Sequence, residues 1–342
     1  MRIVEVYGGG DGGGAAHYMQ TVLPGLALQD EVHFLSLGRD HLAPEGASLH
    51  RSAQRRALGA IRALHPDVLH THGLRANLLG RLYGRLHDVP VVTTVHSFLA
   101  QDYPSEANAA PALLLDGATL HWSRRLIAVS SAIAADLIAR GALAGSVAVV
   151  PNGIAPPPPP DPAALPAIVQ AHPLLCVAAR LHRTKGVDVA VRALALLPTA
   201  QLAVLGEGPE RDALRRLAAE LGVLDRLHLL GFRPDFGAIV AGADLLLVPS
   251  RAEGFGLAAV EAMAQGVPVA ASAVGALPEI VGPGGLLCPP DDPARLAEVV
   301  GRALEERPAL SRAARLQAGL FSLARTVEGT RAVLRDVLEA SR

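Results

Sequence analysis

The segment Leu174-Leu175-Cys176-Val177-Ala178-Ala179-Arg180-Leu181-His182-Arg183-Thr184-Lys185-Gly186-Val187 reads as a strand, a basic loop and the start of a helix. Leu174–Ala179 is a short apolar run without alternation, as suits a parallel strand buried on both faces. Gly186 opens a helical pattern over Val187–Leu197. The same grammar continues downstream. Strands are expected at Leu202–Leu205, Leu227–Leu230, Leu245–Val248, Val267–Ala271 and Gly285–Cys288. Helices are expected at Pro209–Leu221, Phe236–Ala241, Gly256–Gln265 and Ala294–Leu304. Upstream, runs at Ile3–Tyr7, Val32–Leu37, Val68–His70, Val91–Val95, Leu126–Val129 and Val147–Val150 form a second such series, with helices such as Gly73–Leu86 and Ala132–Ala139 between them. Strand and helix in turn predict an α/β fold with doubly wound parallel sheets.

The two series are separated by five consecutive prolines, Pro156–Pro160, with Pro162, Pro166 and Pro173 behind them. Proline can neither continue a helix interior nor donate to a central strand, so this run predicts a stiff linker. The expected organisation is residues 1–155 as one Rossmann-like domain, 156–172 as the linker and 173–321 as a second Rossmann-like domain. A last helix, within 322–342, follows no new strand and is free to pack back on the first domain. Ligands of such sheets bind beyond the carboxyl ends of the strands. The expected site is therefore a cleft across which the two domains face each other.

Composition narrows the class. The chain has 342 residues, half of them apolar, and a net charge of −1. That is a globular balance, and it argues against disorder or a nucleic-acid coat. Two cysteines, Cys176 and Cys288, cannot make a disulfide framework or a structural zinc site, so a reducing compartment is expected. Met1-Arg2 runs straight into an apolar strand rather than a signal peptide. The expected location is the cytoplasm, either free or peripheral at the inner face of the membrane. Of the 31 basic residues, only Lys185 is a lysine. A lone ammonium among arginines points to a site that needs one.

Four features carry candidate chemistry. Gly8-Gly9-Gly10-Asp11-Gly12-Gly13-Gly14 lies between the first strand and first helix, where bare backbone and a helix N-terminus can approach an anion. A flexible tight turn would read the same. No acid ends the second strand as a nicotinamide fingerprint requires, since Asp30 and Glu31 precede it and Asp40 follows late. Arg180 and Lys185 flank a helix start, an arrangement suited to a diphosphate, although a solvated basic loop is the plain alternative. Glu253 stands in a bare loop with Gly254 and Gly256, ahead of an apolar helix carrying a single carboxylate, Glu261. A buried carboxylate needs partners. Vicinal sugar hydroxyls would serve, and so would a core arginine. Eight helical residues span about 12 Å, too far for a retaining hydrolase pair. His96 ends a strand on the site side, but a lone histidine is more often a hydrogen-bonded structural residue, and 13 histidines, His70 and His72 among them, dilute the signal. No convincing metal-ligand spacing appears.

Together these motifs resemble the retaining GT-B glycosyltransferases of glycosyltransferase family 4. The resemblance rests on the glycine-rich loop, Thr93-Thr94-Val95-His96, Ala128-Val129-Ser130, Val150-Pro151-Asn152-Gly153-Ile154, Ala179-Arg180 to Lys185-Gly186, Gly206-Glu207-Gly208-Pro209 and Gly231-Phe232. It continues through Glu253-Gly254-Phe255-Gly256-Leu257 with Glu261, Pro278-Glu279-Ile280 and Pro289-Pro290-Asp291. It implies metal-independent transfer of a sugar, with retention, from a nucleotide-diphosphate sugar to an acceptor hydroxyl, with no other cofactor. Arg180 and Lys185 would hold the diphosphate, and Glu261 the ribose. Glu253 would contact the donor sugar, and the Phe255, Gly256 and Leu257 amides would line the sugar–phosphate site. Gly13 and Gly14 would face the diphosphate or acceptor, and His96 would lie beside the reacting sugar. The acceptor would be a sugar, a lipid-linked molecule or another small molecule. The same architecture serves nucleotide-sugar epimerases and catalytically silent partner subunits. Three departures from the family pattern stand out: Ala155 after Asn-Gly-Ile, Gly275-Ala276 where two glycines are usual, and the pentaproline itself.

Overall fold

The computed structural model describes residues 1–9, 13–38, 42–103, 106–157 and 173–341. Gly10, Asp11, Gly12, Asp40 and most of the proline-rich stretch (residues 158–172) lie outside the described residues. The chain forms two compact units, Met1–Gly153 with Leu323–Arg342, and Ile154–Ser322.

The first unit is built on seven parallel strands: β1 (Arg2–Tyr7), β2 (Glu31–Ser36), β3 (Ser48–Arg51), β4 (Val68–His72), β5 (Val91–Val95), β6 (Arg125–Ala128) and β7 (Val147–Val149). Their order is β3-β2-β1-β4-β5-β6-β7. The crossover helices are α1 (Gly14–Ala27), α2 (Ala57–Ala63), α3 (Leu74–His87), α4 (Glu106–Thr119) and α5 (Ser131–Ala139). Strands β1, β4 and β5 are buried almost throughout, and they bury the polar Glu5, His70, Thr71, His72, Thr93 and Thr94 along with their apolar residues. The edge strand β3 had no sequence signal: Ser-Leu-His-Arg is short, polar and largely exposed, and it pairs on one side only.

The second unit repeats the design with six parallel strands: β8 (Leu174–Ala178), β9 (Gln201–Leu205), β10 (Leu227–Gly231), β11 (Leu245–Val248), β12 (Val269–Ser272) and β13 (Gly285–Cys288). Their order is β10-β9-β8-β11-β12-β13. Its helices are α6 (Val187–Leu194), α7 (Arg211–Glu220), α8 (Phe236–Ala241), α9 (Leu257–Ala264), α10 (Leu277–Val281), α11 (Pro293–Glu305) and α12 (Arg307–Ala318). Both sheets therefore follow the 3-2-1-4-5-6 winding of dinucleotide-type folds, with strand order reversing between β1 and β4 and between β8 and β11.

The final helix, α13 (Leu323–Glu339), belongs to the first unit. It buries Thr326, Thr330, Leu334 and Val337, a helical stripe, and packs on α1. The Tyr18 hydroxyl donates to Thr330 Oγ1 (3.1 Å), Arg331 Nε to Asp30 Oδ2 (2.6 Å), and Thr326 Oγ1 to the Pro151 carbonyl (2.8 Å).

Candidate functional site

In the second unit, two loops at the carboxyl ends of β8 and β11 meet at the point where strand order reverses. The first runs from Arg180 to Gly186, the second from Pro249 to Gly256. Gly186 makes their approach possible. Its φ is +61°, and a Cβ there would stand 1.9 Å from the Pro249 carbonyl oxygen, so any larger residue would push the loops apart. Lys185 Nζ donates to Glu253 Oε2 at 2.7 Å, and Ser250 Oγ donates to the same oxygen at 3.2 Å. One contact uses one of three ammonium protons, leaving two for a ligand. The Arg180 side chain is exposed and has no hydrogen-bond or ion-pair partner among the described residues.

Arg251, which the sequence reading passed over, stitches the loops together. Its Nη1 and Nη2 grip the Asp188 carboxylate in a fork, each at 2.8 Å. Its Nη1 also donates to the Arg183 carbonyl (2.6 Å), its Nε to Asp291 Oδ1 (2.6 Å), and its backbone N–H to the Thr184 carbonyl (2.8 Å). A bidentate pair of this kind fixes geometry as well as energy. The fork from Arg251 outweighs burial and holds the Asp188 carboxyl below its usual range.

Helix α9 begins at Gly256, with φ of +100° and no side-chain cap, so its first N–H groups are open to an anion. Helices α1 and α6 also begin at glycine, Gly13 and Gly186, again without a side-chain cap. By contrast, Ser130 and Asp292 cap α5 and α11 by accepting from Ile133 and Arg295 N–H. Phe255 is buried edge-on against Phe321, ring centroids 5.7 Å apart, which anchors the α9 start. Glu261 lies one turn into α9. Burial raises its carboxyl to about 7, and no hydrogen-bond or ion-pair partner faces it among the described residues. On the order of 3 kcal/mol separates the cost of its charged form here from that in water.

In the first unit, Gly13 and Gly14 open α1, and the space a Cβ would occupy is clear for 4 Å at both. His96 follows β5 and joins a buried chain that sequence spacing did not reveal. Glu5 on β1 accepts from His70 Nδ1 (3.0 Å) through Oε1 and from His72 Nε2 (2.8 Å) through Oε2. His70 Nε2 meets Thr94 Oγ1 (2.7 Å), and His72 Nδ1 meets His96 Nε2 (3.0 Å). Glu5, His70 and His72 come close enough to hold a metal ion, yet every ring nitrogen of His70 and His72 already has a hydrogen-bond partner. The only signal available was polar residues at alternate positions of otherwise apolar strands: Glu5 in Ile3–Tyr7, and His70 with His72 in Val68–His72.

The sequence itself now decides the family. Residues 166–318 match the model for "Glycosyl transferases group 1" and residues 12–156 that for "Glycosyltransferase Family 4". D-inositol 3-phosphate glycosyltransferase 1 of Catenulispora acidiphila is 35% identical over 309 residues, spanning 81% of this chain and 73% of that protein. The chain belongs to the group 1 glycosyltransferases. Glycogen synthase of Mycobacterium tuberculosis is 30% identical to this glycosyltransferase over 306 residues, 85% of the chain and 73% of the relative. Among solved structures, sucrose-phosphate synthase from Thermosynechococcus elongatus superposes with a TM-score of 0.84 at 23% identity, covering 99% of each chain. Anabaena HepE in complex with UDP gives 0.83 at 22%, covering 98% of this chain and 100% of that one. These likenesses fix the GT-B fold of two Rossmann-like domains. Among the described residues, no helix is long and apolar enough to cross a membrane.

Proposed function

We propose that this glycosyltransferase moves a sugar from a nucleotide-diphosphate sugar to an acceptor hydroxyl, with retention and without a metal ion. The observation that carries the reading is Glu261. A desolvated carboxylate without a protein partner is costly, and two vicinal ribose hydroxyls would satisfy both its oxygens. Arg180, Lys185 and the open N-termini of α6 and α9 take the diphosphate, with the Phe255, Gly256 and Leu257 amides at the sugar–phosphate junction. Residues 173–321 are then the donor domain, 1–155 the acceptor domain, and 156–172 the link between them. The solved complexes of Anabaena HepE with UDP and UDP-glucose give a precedent for such a donor on this fold.

The chemistry follows from charge. As the bond from the anomeric carbon to the phosphate oxygen breaks, positive charge spreads over the sugar ring and negative charge grows on the departing diphosphate. Lys185, Arg180 and the helix N-termini are fixed cations and dipoles, placed before the charge develops. Lys185 supplies a mobile point charge and Arg180 a planar fork. Glu253, held by Lys185 and Ser250, orients the donor sugar. Among the described residues, no second carboxylate is paired or hydrogen-bonded with Glu253 as a nucleophile would be, so attack by the acceptor oxygen on the face the diphosphate leaves is the economical retaining route. His96, with Gly13 and Gly14, serves the reacting groups from the first unit. Cys176 and Cys288 are free and buried, which suits the reducing cytoplasm.

A thermal-shift screen across UDP-, GDP- and ADP-sugars identifies the donor. Proton NMR of the product then reads the anomer, and turnover in excess EDTA reads the metal requirement. The proposal expects stabilisation by one nucleotide class, a retained anomer and unchanged turnover in EDTA. An inverted product or EDTA-quenched turnover overturns the corresponding part.

A further inference from the structure

The buried chain Glu5–His72–His96 has a consequence for which ring nitrogen of His96 carries a proton. We propose that Glu5 and His72 are positioning residues that lock His96 into the tautomer with Nε2 protonated and Nδ1 bare, so that Nδ1 accepts a hydrogen bond from a substrate hydroxyl. This rests on the reading of His96 as a site residue.

The argument is donor counting. Burial alone would raise the Glu5 carboxyl, but the His70 and His72 ring nitrogens against it hold it at about 2. It is therefore a carboxylate, and a carboxylate only accepts. Both nitrogens facing it must be N–H, which assigns the proton of His72 to Nε2. Burial first, then the neighbouring His70, lowers His72 to about 4, so near neutral pH it carries one proton only. Its Nδ1 is then a lone pair, and the 3.0 Å contact to His96 Nε2 requires His96 to donate. His96 is held well below the usual histidine range, by burial and then by His72 and His70, and is also neutral. Its single proton is on Nε2, and the proton of His70 does not enter, because Thr94 Oγ1 can donate or accept.

The result matches an independent geometric fact. His96 Nδ1 is buried and has no hydrogen-bond partner among the described residues. Such an orphan acceptor is uncommon unless a ligand completes it. The groups packed on the chain leave this assignment alone. From α1, the Tyr18 ring lies edge-on to His96 at 5.3 Å and tilted to His72 at 5.0 Å. Its phenol, pushed well above its usual range chiefly by burial, stays neutral and points to Thr330 on α13. From β1 comes Glu5, from β4 His70 and His72, and from β5 Thr94. A histidine oriented by a carboxylate through its far nitrogen is a recurring way to fix a ring for ligand contact.

The direct test is ¹⁵N-histidine NMR of the free enzyme between pH 6 and 8. The expected spectrum shows His96 neutral, with Nε2 protonated and Nδ1 unprotonated. A charged ring, or a proton on Nδ1, overturns the proposal in the wild type itself, whether or not any sugar donor is turned over. The second arm is Glu5→Met, an uncharged side chain of similar size whose thioether accepts only weakly. It should blur the His96 tautomer into a mixture. It should also lower kcat by about 10- to 100-fold with donor KM little changed, the scale of losing a histidine's orienting partner. In a His96→Ala background the same Glu5→Met change should cost nothing further. An equal loss in both backgrounds would show that Glu5 acts on the fold rather than through His96. If the wild type transfers no sugar while the tautomer is as stated, the functional reading fails and the relay stands.

Discussion

The two units wind their strands in the same order, yet they spend their polar residues differently. In the first, charged and polar groups are buried within the sheet and between its covering helices, where they bond one another. Glu5, His70 and His72 form one such group. Arg81, Asp116, Ser123 and Thr119 form another, in which the fully buried Arg81 donates to Asp116 Oδ1 at 2.6 Å, Ser123 Oγ at 2.9 Å and Thr119 Oγ1 at 3.1 Å. In the second unit the charges sit in loops, partly open, and its core is almost wholly apolar. The difference teaches that one topology can hold a site in two ways, by internal wiring or by loops pinned from outside. Mutations in the Arg81–Asp116 group should therefore cost stability, and mutations in the loops of the second unit catalysis.

The largest effect is expected where the wiring breaks. Asp116 receives both Arg81 and Arg140. Asp116→Ala leaves a buried guanidinium uncompensated, which should cost about 3–5 kcal/mol of stability. Thermal unfolding would show it, and a loss under 1 kcal/mol would erase the contrast between the units. In the second unit, Lys185→Ala should leave the melting temperature nearly unchanged and slow transfer by about 10²-fold or more, as for one preorganised contact to a developing anion. Lys185→Arg should recover only part, because fork and point charge place their donors differently. Wild-type turnover in Lys185→Ala would remove the diphosphate role. Glu261→Gln and Glu253→Gln should split. Contacts made equally before and during reaction change KM more than kcat. Ribose binding by Glu261 thus predicts a donor KM raised about tenfold, whereas Glu253→Gln should act mainly on kcat. Steady-state kinetics on both variants decides this, and a reversed pattern would exchange their roles. The smallest effect belongs to the rim. Asp291 holds Arg251 from an exposed position at φ +58°, a conformation asparagine tolerates. Asp291→Asn should change stability and rate by no more than about 0.5 kcal/mol.

The fold was legible because buried parallel strands are written as short, mostly apolar runs without strict alternation. The bounds of β5, β11, β13 and α8 match those read from the sequence residue for residue. What escaped was the edge and the additions. Strand β3 is polar because it is exposed, and α12 occupies a stretch, Arg307–Ala318, that no expected strand introduces. Glu261 was legible because a lone carboxylate in an apolar helix is conspicuous. Arg251 and Glu5 were not. Their partners lie 63 residues away at Asp188 and 65 residues away at His70, and only the sheet order brings them together. The histidines misled for the same reason. In the sequence, His70 and His72 dilute the significance of His96, while in the fold His72 bonds His96 and His70 shares Glu5 with it.

The most direct measurement is calorimetric binding of the preferred nucleoside diphosphate, chosen among UDP, GDP and ADP, to the wild type and Glu261→Gln at pH 6 and pH 8. The Glu261 carboxyl, raised to about 7 by burial, is mostly protonated at the lower pH and mostly ionised at the higher. In the empty protein its burial therefore costs stability increasingly as pH climbs from the usual carboxylate range to about 7, and no further above that. A ligand donating two hydroxyls to the charged form relieves this cost. The wild type should bind more tightly at pH 8 than at pH 6 by up to about tenfold, beyond the change seen in Glu261→Gln, which carries only the titration of the phosphate itself. Equal affinities for the two proteins at both pH values would contradict the account, because Glu261 would then hold no part of the nucleotide.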